Sequence, residues 1–243
     1  MSLSLYLRMP WMKPAEEPRA TWTRFPEVTA LVLVALMVGM HLVPRAESTP
    51  AASPELTLGR LTSHLIFTGS VALVLPAILI CGRSPSVFGF KLQSLGTQIL
   101  DGVKGFLLAL IPTAVLMVAT APLRTRQTQN PLLTLLSDTQ DPAVIALIVL
   151  AAAVIAPLYE EMMFRVILQG SLGSVVRPRL AVVMTALTFA AIHGAIDGIA
   201  LIPLALVLGY VFQQRHSYLS VVVIHGLFNG IMLVLALLTQ KVI

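Results

Sequence analysis

Hydrophobic residues along this chain of 243 residues are grouped into long runs, and short polar stretches separate one run from the next. Most runs hold about 17–25 residues, enough for a helix to cross a hydrocarbon core about 30 Å thick. The pattern therefore predicts an all-α, polytopic bundle of transmembrane helices with about seven or eight spans. We place seven of them at Pro26–Val43, Leu61–Ile80, Gln98–Ala121, Ala143–Leu168, Leu180–Gly194, Ile199–Phe212 and Tyr218–Leu238.

The composition supports a membrane environment. Hydrophobic residues make up 57% of the chain and charged residues 11%, whereas soluble domains have about 45–50% and about 25%. The formal net charge is +5, but Lys and Arg lie singly or in pairs between the apolar runs. They are therefore interpreted as topology signals, and no nucleic-acid partner is expected. Their bias favours a cytosolic N-terminus, and the short loops suggest a bacterial plasma membrane.

Ionisable side chains deep in an apolar span are costly and usually mark a function. In this sequence they occur in the fourth, fifth and seventh predicted spans, where an amide accompanies the last of them: Glu160, Glu161, Arg165, His193, His225 and Asn229. Glu161 and Arg165 are spaced i, i+4 on a helix, which predicts an ion pair on one face. Glu160 lies about 100° around that helix, so it is free to act as a general base on water.

Two further pairs have the same i, i+4 spacing, namely Phe189 with His193 and His225 with Asn229. Taken alone, His193 is more typical of a hydrogen-bonded packing residue than of a catalyst, and His225 with Asn229 suits an interhelical hydrogen bond as well as a catalytic role. Asp197, four residues after His193, is either an ordinary loop carboxylate or a partner that orients the imidazole ring. From the predicted boundaries, His193 lies deeper than Glu160 and His225. The fifth helix must therefore be tilted, begin deeper or unwind at Gly194.

Glu-Glu-x-x-x-Arg at 160–165, Phe-x-x-x-His at 189–193 and His-x-x-x-Asn at 225–229, in this order on separate spans, resemble the motifs of the type II CAAX prenyl protease group, also called the CPBP or Abi family. The resemblance covers about residues 142–238. It implies a catalytic transmembrane region at 142–238. The apolar runs predict N-terminal transmembrane helices at 26–141, and the aromatic and basic residues before them predict a cytosolic or interfacial segment at 1–25.

The resemblance also implies roles for the motif residues. Glu160 and His193 would activate the hydrolytic water, and His225 and Asn229 would stabilise the oxyanion, while Glu161, Arg165 and Phe189 would support the site. The implied reaction is endopeptidase cleavage near the C-terminus, or in a membrane-proximal segment, of a peptide or prenylated protein. No cofactor is expected.

Three alternatives remain open from the sequence alone. A zinc-dependent version of the same protease would use Glu160, His193 and His225 as ligands. A membrane protein that binds a peptide without cutting it, for instance in immunity, has the same polar cluster. A transporter is disfavoured because the two halves of the chain show no matched pair of broken spans. The sequence leaves the oligomeric state undetermined.

Overall fold

The computed structural model describes residues 58–81, 83–125 and 130–240, and the secondary structure of these residues is entirely helical. Two short 3₁₀ turns lie at Pro85–Phe88 and Ala121–Leu123. The longer helices are α1 (Leu58–Ile80), α2 (Leu95–Thr120), α3 (Pro131–Asp138), α4 (Pro142–Val175), α5 (Pro178–Ile192), α6 (Ala195–Arg215) and α7 (Tyr218–Gln240).

Local sequence signals set several of the helix starts. Proline occupies the first turn of α3, α4 and α5, where the missing N–H has no partner to lose. The side chain of Asn130 accepts a hydrogen bond from Leu132 N at 2.9 Å, and that of Asp141 accepts one from Ala143 N at 2.8 Å. Both residues are N-caps that satisfy free backbone donors. The polar residue Asp141 therefore sets where α4, the helix that carries Glu160 and Glu161, begins.

Five helices of the described region, namely α1, α2, α4, α6 and α7, are long and apolar enough to cross a membrane. Large hydrophobic side chains on them are exposed, including Leu73 at 77% and Ile111 at 71%, which is expected of a surface that faces lipid. The protein is therefore an integral membrane protein with an all-helical described region. The predicted span Pro26–Val43 and the segment 1–25 lie outside the described residues, so the total of seven or eight spans stays a prediction.

The fifth predicted span is shorter than a complete crossing. Helix α5 has 15 residues, or about 22 Å at 1.5 Å per residue, against a core of about 30 Å. The helix ends at Ile192 because His193 leaves the helical conformation and Gly194 adopts φ +86°. Of the three explanations offered for the depth of His193, the helix unwinding at Gly194 is the one observed. The expectation of a span continuing to Gly194 is corrected accordingly.

Close approach of helices forms the core between α2, α6 and α7. A Cβ atom on Gly102 would lie 2.7 Å from Val223 Cβ, and one on Gly105 would lie 2.5 Å from Ile224 Cδ1. Helix α7 also approaches α4, since a Cβ atom on Gly226 would lie 2.8 Å from the carbonyl oxygen of Ala153. A Cβ atom on Gly230, one turn later on α7, would have nothing within 4 Å, so of these two glycines only Gly226 allows close helix packing.

Helix α4 changes its hydrogen-bonding pattern along its length. It is π-helical at Leu150–Ile155 and again at Met162–Gln169, with an α-helical segment at Ala156–Glu161 between them. π-Helical segments are rare and frequently occur at functional sites. All eight side chains of the second segment are buried. The two glutamates therefore lie at the junction between an α-helical turn and a buried π-helical turn.

Candidate active site

The two adjacent glutamates of α4 have different environments. The Glu161 side chain is completely buried, whereas that of Glu160 is 20% exposed. This difference follows from the rotation of about 100° between successive residues of a helix. The structure thus presents Glu160 to a partly open region and directs Glu161 into the interior.

Glu160 faces both motif histidines. Its Oε2 atom lies 3.7 Å from His193 Nε2 and 4.0 Å from His225 Nε2. Both distances exceed the usual hydrogen-bond range of about 2.7–3.2 Å. Among the described residues, this buried oxygen has no hydrogen-bond partner. The 3.7 Å separation of Glu160 Oε2 and His193 Nε2 is within reach of one bridging water, because two hydrogen bonds of about 2.8 Å span up to about 5.6 Å.

The contacts of the two Nδ1 atoms indicate which nitrogen of each imidazole ring carries the hydrogen. His193 Nδ1 lies 2.7 Å from the carbonyl oxygen of Phe189, and His225 Nδ1 lies 2.7 Å from Glu161 Oε1. Both partners are acceptors, if Glu161 is ionised, so each Nδ1 is assigned as the protonated nitrogen. In a neutral ring the Nε2 atom then carries a lone pair. Both Nε2 atoms are thereby directed to the Glu160 side of the site.

The predicted pair of Glu161 and Arg165 is present, with 3.3 Å between Glu161 Oε2 and Arg165 Nε and both side chains fully buried. Arg165 Nη2 also donates to the carbonyl oxygen of Ala205 at 3.3 Å. The guanidinium carbon lies 4.8 Å from the centre of the Phe189 ring, within cation–π range. Glu161 thus joins Arg165 to His225, a link that helical spacing within α4 does not reveal.

Phe189 lies between the charged groups of the site. Its buried ring is 4.5 Å from the His193 ring and 5.7 Å from the His225 ring, measured between centroids. The backbone carbonyl of the same residue accepts the hydrogen bond from His193. The aromatic residue of the second motif therefore contacts both imidazoles as well as Arg165.

Asn229 contacts α4. Its Nδ2 atom donates to the carbonyl oxygen of Ala152 at 2.8 Å, in the first π-helical segment. An amide nitrogen carries two hydrogens, so this bond uses one and leaves the second for another acceptor. The i, i+4 spacing places Asn229 one turn along α7 from His225.

Two contacts near the site were not predicted from the sequence, namely the partner of Asp197 and that of Tyr218. Asp197 is on the first turn of α6 and pairs with Arg124 at 2.8 Å, so the imidazole of His193 is held by Phe189 and not by Asp197. Tyr218 donates from its hydroxyl to the carbonyl oxygen of Leu158 at 2.6 Å. The sequence did not predict this contact, because tyrosines at the start of an apolar run are common at membrane interfaces and do not indicate a particular hydrogen-bond partner.

Glu160, His193 and His225 are the residues that would hold a metal ion in the zinc-dependent alternative. Within residues 58–81, 83–125 and 130–240, no group of three His, Cys, Asp or Glu residues meets the geometry of a metal site. The three side chains are nevertheless neighbours, with 3.7 Å and 4.0 Å between Glu160 Oε2 and the Nε2 atoms of the two histidines. What the site offers chemically is a carboxylate opposite two imidazoles.

Comparison with known proteins finds one family profile that matches the region of the three motifs. Residues 142–231 match the family profile described as type II CAAX prenyl endopeptidase, Rce1-like. This match confirms the resemblance inferred from the three motifs and covers all of them. No curated protein and no solved structure matches the chain.

Proposed function

We propose that this integral membrane protein is a glutamate-dependent intramembrane endopeptidase, and the match of residues 142–231 to the profile of Rce1-like type II CAAX prenyl endopeptidases supports the proposal. The observation that carries the proposal is the position of Glu160 Oε2, which faces the Nε2 atoms of His193 and His225 without a hydrogen-bond partner in the described region. This arrangement suits a hydrolytic water held between a base and an imidazole.

The first step is activation of that water. Glu160 accepts a hydrogen bond from one hydrogen of the water while His193 Nε2 accepts a hydrogen bond from the other. The water oxygen then attacks the carbonyl carbon of the scissile bond, and its proton passes to Glu160. General base catalysis of this kind contributes about 10²–10⁴ in rate. The Phe189 carbonyl keeps the lone pair of His193 directed to the water.

The second step is stabilisation of the oxyanion that forms from the substrate carbonyl. His225 serves this step as an imidazolium, in which Nε2–H donates and the Nδ1–H bond to Glu161 offsets the positive charge. The second N–H of Asn229 is the other donor. One preorganised donor of this type contributes about 10²–10³ in rate. Collapse of the intermediate breaks the C–N bond, and Glu160 returns its proton to the departing amine.

Glu161 and Arg165 support the site in this proposal. Glu161 orients His225 and is itself held by Arg165, which is packed on Phe189. Region 142–238 is then the catalytic region, and residues 26–141 are the transmembrane helices that pack around it. The substrate is a peptide or a prenylated protein that presents an extended segment close to the membrane. A cytosolic N-terminus in a bacterial plasma membrane remains our prediction for its orientation and location.

The zinc-dependent version of this protease makes a distinct prediction. If Glu160, His193 and His225 hold a zinc ion, treatment with a chelator abolishes cleavage, and added zinc restores it. We expect instead that protein dialysed against EDTA and then assayed with 1,10-phenanthroline cuts its peptides at an unchanged rate. Loss of cleavage that zinc reverses would replace the metal-free mechanism.

The experiment that tests the function is cleavage of a peptide library by protein reconstituted in lipid, followed by mass spectrometry. Half of the peptides carry a farnesyl group on a CAAX cysteine, and half do not. We expect wild type to cut, and Glu160→Gln to lose at least about 10²-fold in rate with an unchanged melting temperature. Glu160→Gln is nearly isosteric, so it removes the base without removing volume.

Two results would contradict the proposal. Equal cleavage by wild type and Glu160→Gln would exclude this glutamate as the base. No cleavage of either half of the library would favour the non-catalytic alternative, in which the polar cluster binds a peptide. That alternative gains direct support if a cellular phenotype of the protein survives Glu160→Gln.

A further inference from the structure

Two arginine–aspartate pairs link α2 and α6 at opposite ends. Beyond the C-terminal end of α2, Arg124 Nε lies 2.8 Å from Asp197 Oδ1 on the first turn of α6. Near the start of α2, Asp101 Oδ2 lies 2.9 Å from Arg215 Nε at the end of α6. Only the first pair is next to the chain segment that carries His193.

The segment between α5 and α6 is compact. His193 and Gly194 donate through their backbone N–H groups to the carbonyl oxygens of Ala190 and Ala191 at 3.1 and 3.3 Å. Gly198 lies so close to α5 that an added Cβ would be 2.2 Å from the carbonyl oxygen of Ala190. The first turn of α6 is therefore packed directly against the end of α5, next to His193.

Arg124 is itself fixed to α2. Its Nη1 atom donates to the carbonyl oxygen of Met117 at 2.8 Å while Nε binds Asp197. The two side chains are 18% and 26% exposed, so the pair is largely shielded from solvent. It joins residues 73 positions apart in the sequence, and it connects the α5–α6 corner to a helix that contributes no motif residue.

We propose that Arg124 and Asp197 are positioning residues that hold the α5–α6 corner against α2 and thereby keep His193 facing Glu160. The inference rests on the proposed function, because His193 matters for catalysis only if the site is a protease. The pair acts through the backbone of the corner. Asp197 does not bind the imidazole, whose Nδ1 is engaged by Phe189.

The catalytic test compares Asp197→Asn with Asp101→Asn, its matched control at the other end of the same two helices. We expect Asp197→Asn to lower kcat by about ten- to a hundredfold with little change in KM. Asp101→Asn should leave kcat unchanged, even where it destabilises the protein as much as Asp197→Asn or more. Arg124→Gln should resemble Asp197→Asn. The double variant should be no worse than either single variant, because both remove one interaction.

A second readout does not depend on cleavage. Diethylpyrocarbonate modifies accessible imidazoles, and the His193 side chain is 21% exposed. We expect Asp197→Asn to accelerate modification of His193 several-fold, as followed by mass spectrometry in lipid, and Asp101→Asn to have no effect.

The outcomes separate failure of this inference from failure of the proposed function. Unchanged kcat and unchanged His193 modification in Asp197→Asn would overturn the positioning role while the protease stands. Faster modification in a protein that cuts no peptide would uphold the positioning of His193 and refute only the catalytic proposal. If Asp101→Asn lowered kcat as much as Asp197→Asn does, the pair of Arg124 and Asp197 would be a general stabilising contact and would have no specific role in positioning His193.

Discussion

Arg165 and Glu161 form a buried ion pair that is incompletely satisfied. Both side chains have no exposed surface, yet Glu161 Oε2 and Arg165 Nε and Nη1 make no hydrogen bond within the described region. The two groups are 3.3 Å apart, so they attract each other without favourable hydrogen-bond geometry. Removing either partner leaves a buried charge that has lost its neutralising neighbour.

We therefore expect Arg165→Ala to lower the free energy of unfolding by about 3–5 kcal/mol and to reduce cleavage together with the yield of folded protein. Thermal unfolding in detergent or lipid measures the loss. The double variant Glu161→Gln with Arg165→Met removes both charges, and it should recover much of the stability without recovering activity. A stable and fully active Arg165→Ala protein would refute the supporting role of this pair.

At the scale of residues, the sequence predicts contacts within a helix better than contacts between helices. The i, i+4 spacing is sufficient to predict the pair of Glu161 and Arg165, because helix geometry is fixed. The bonds from Glu161 to His225 and from Asp197 to Arg124 join distant parts of the chain. Helical periodicity carries no information about which distant helix supplies such a partner.

At the scale of elements, the contact between α4 and α7 depends on Gly226. This glycine lies between His225 and Asn229, and the nearest atom to an added Cβ would be the Ala153 carbonyl oxygen at 2.8 Å. That oxygen belongs to the backbone of a π-helical segment, so it yields less readily than a flexible side chain. Gly230 follows one turn later on the same helix and has open space.

We expect Gly226→Ala to destabilise the protein by about 1–3 kcal/mol through overpacking and to reduce cleavage, because α7 must move away from α4. Gly230→Ala is the matched control. It should be neutral or stabilising by up to about 1 kcal/mol, the difference in helix propensity between the two residues. Thermal unfolding and peptide cleavage measure both effects. Equal behaviour of the two variants would show that the close approach is unimportant.

Helix positions were predicted well from apolar runs, and helix ends less well. The predicted spans Leu61–Ile80 and Tyr218–Leu238 agree closely with α1 and α7. The fourth helix is longer than predicted because it continues through Gly170–Val175, a segment of mostly small and polar residues that gives no signal of a membrane span. The π-helical segments could not be foreseen, since apolar residues with weak periodicity are compatible with either hydrogen-bonding pattern.

At the scale of the molecule, the ordered trio of motifs predicted that Glu160, His193 and His225 would meet, and the structure brings them together. The sequence order does not determine how. A short α5, which ends at Ile192 before the turn at Gly194, brings His193 close to Glu160, and α7 crosses α4 near Ala153. Both features depend on packing among distant helices, which a single sequence does not encode in any local pattern.

The enclosed pair of Glu161 and Arg165 also affects how the protein is made. Chains enter the membrane from the N-terminus, so α4 arrives before α5, α6 and α7 exist to cover its charges. Each charged residue at the centre of a new helix adds about 2.5–3.5 kcal/mol to the cost of its insertion. The ion pair of Glu161 and Arg165 lowers this insertion cost, because both partners lie on α4 itself. Helix α4 therefore brings a neutralising partner for each of these charges into the bilayer before α5 and α7 supply the contacts from Phe189 and His225.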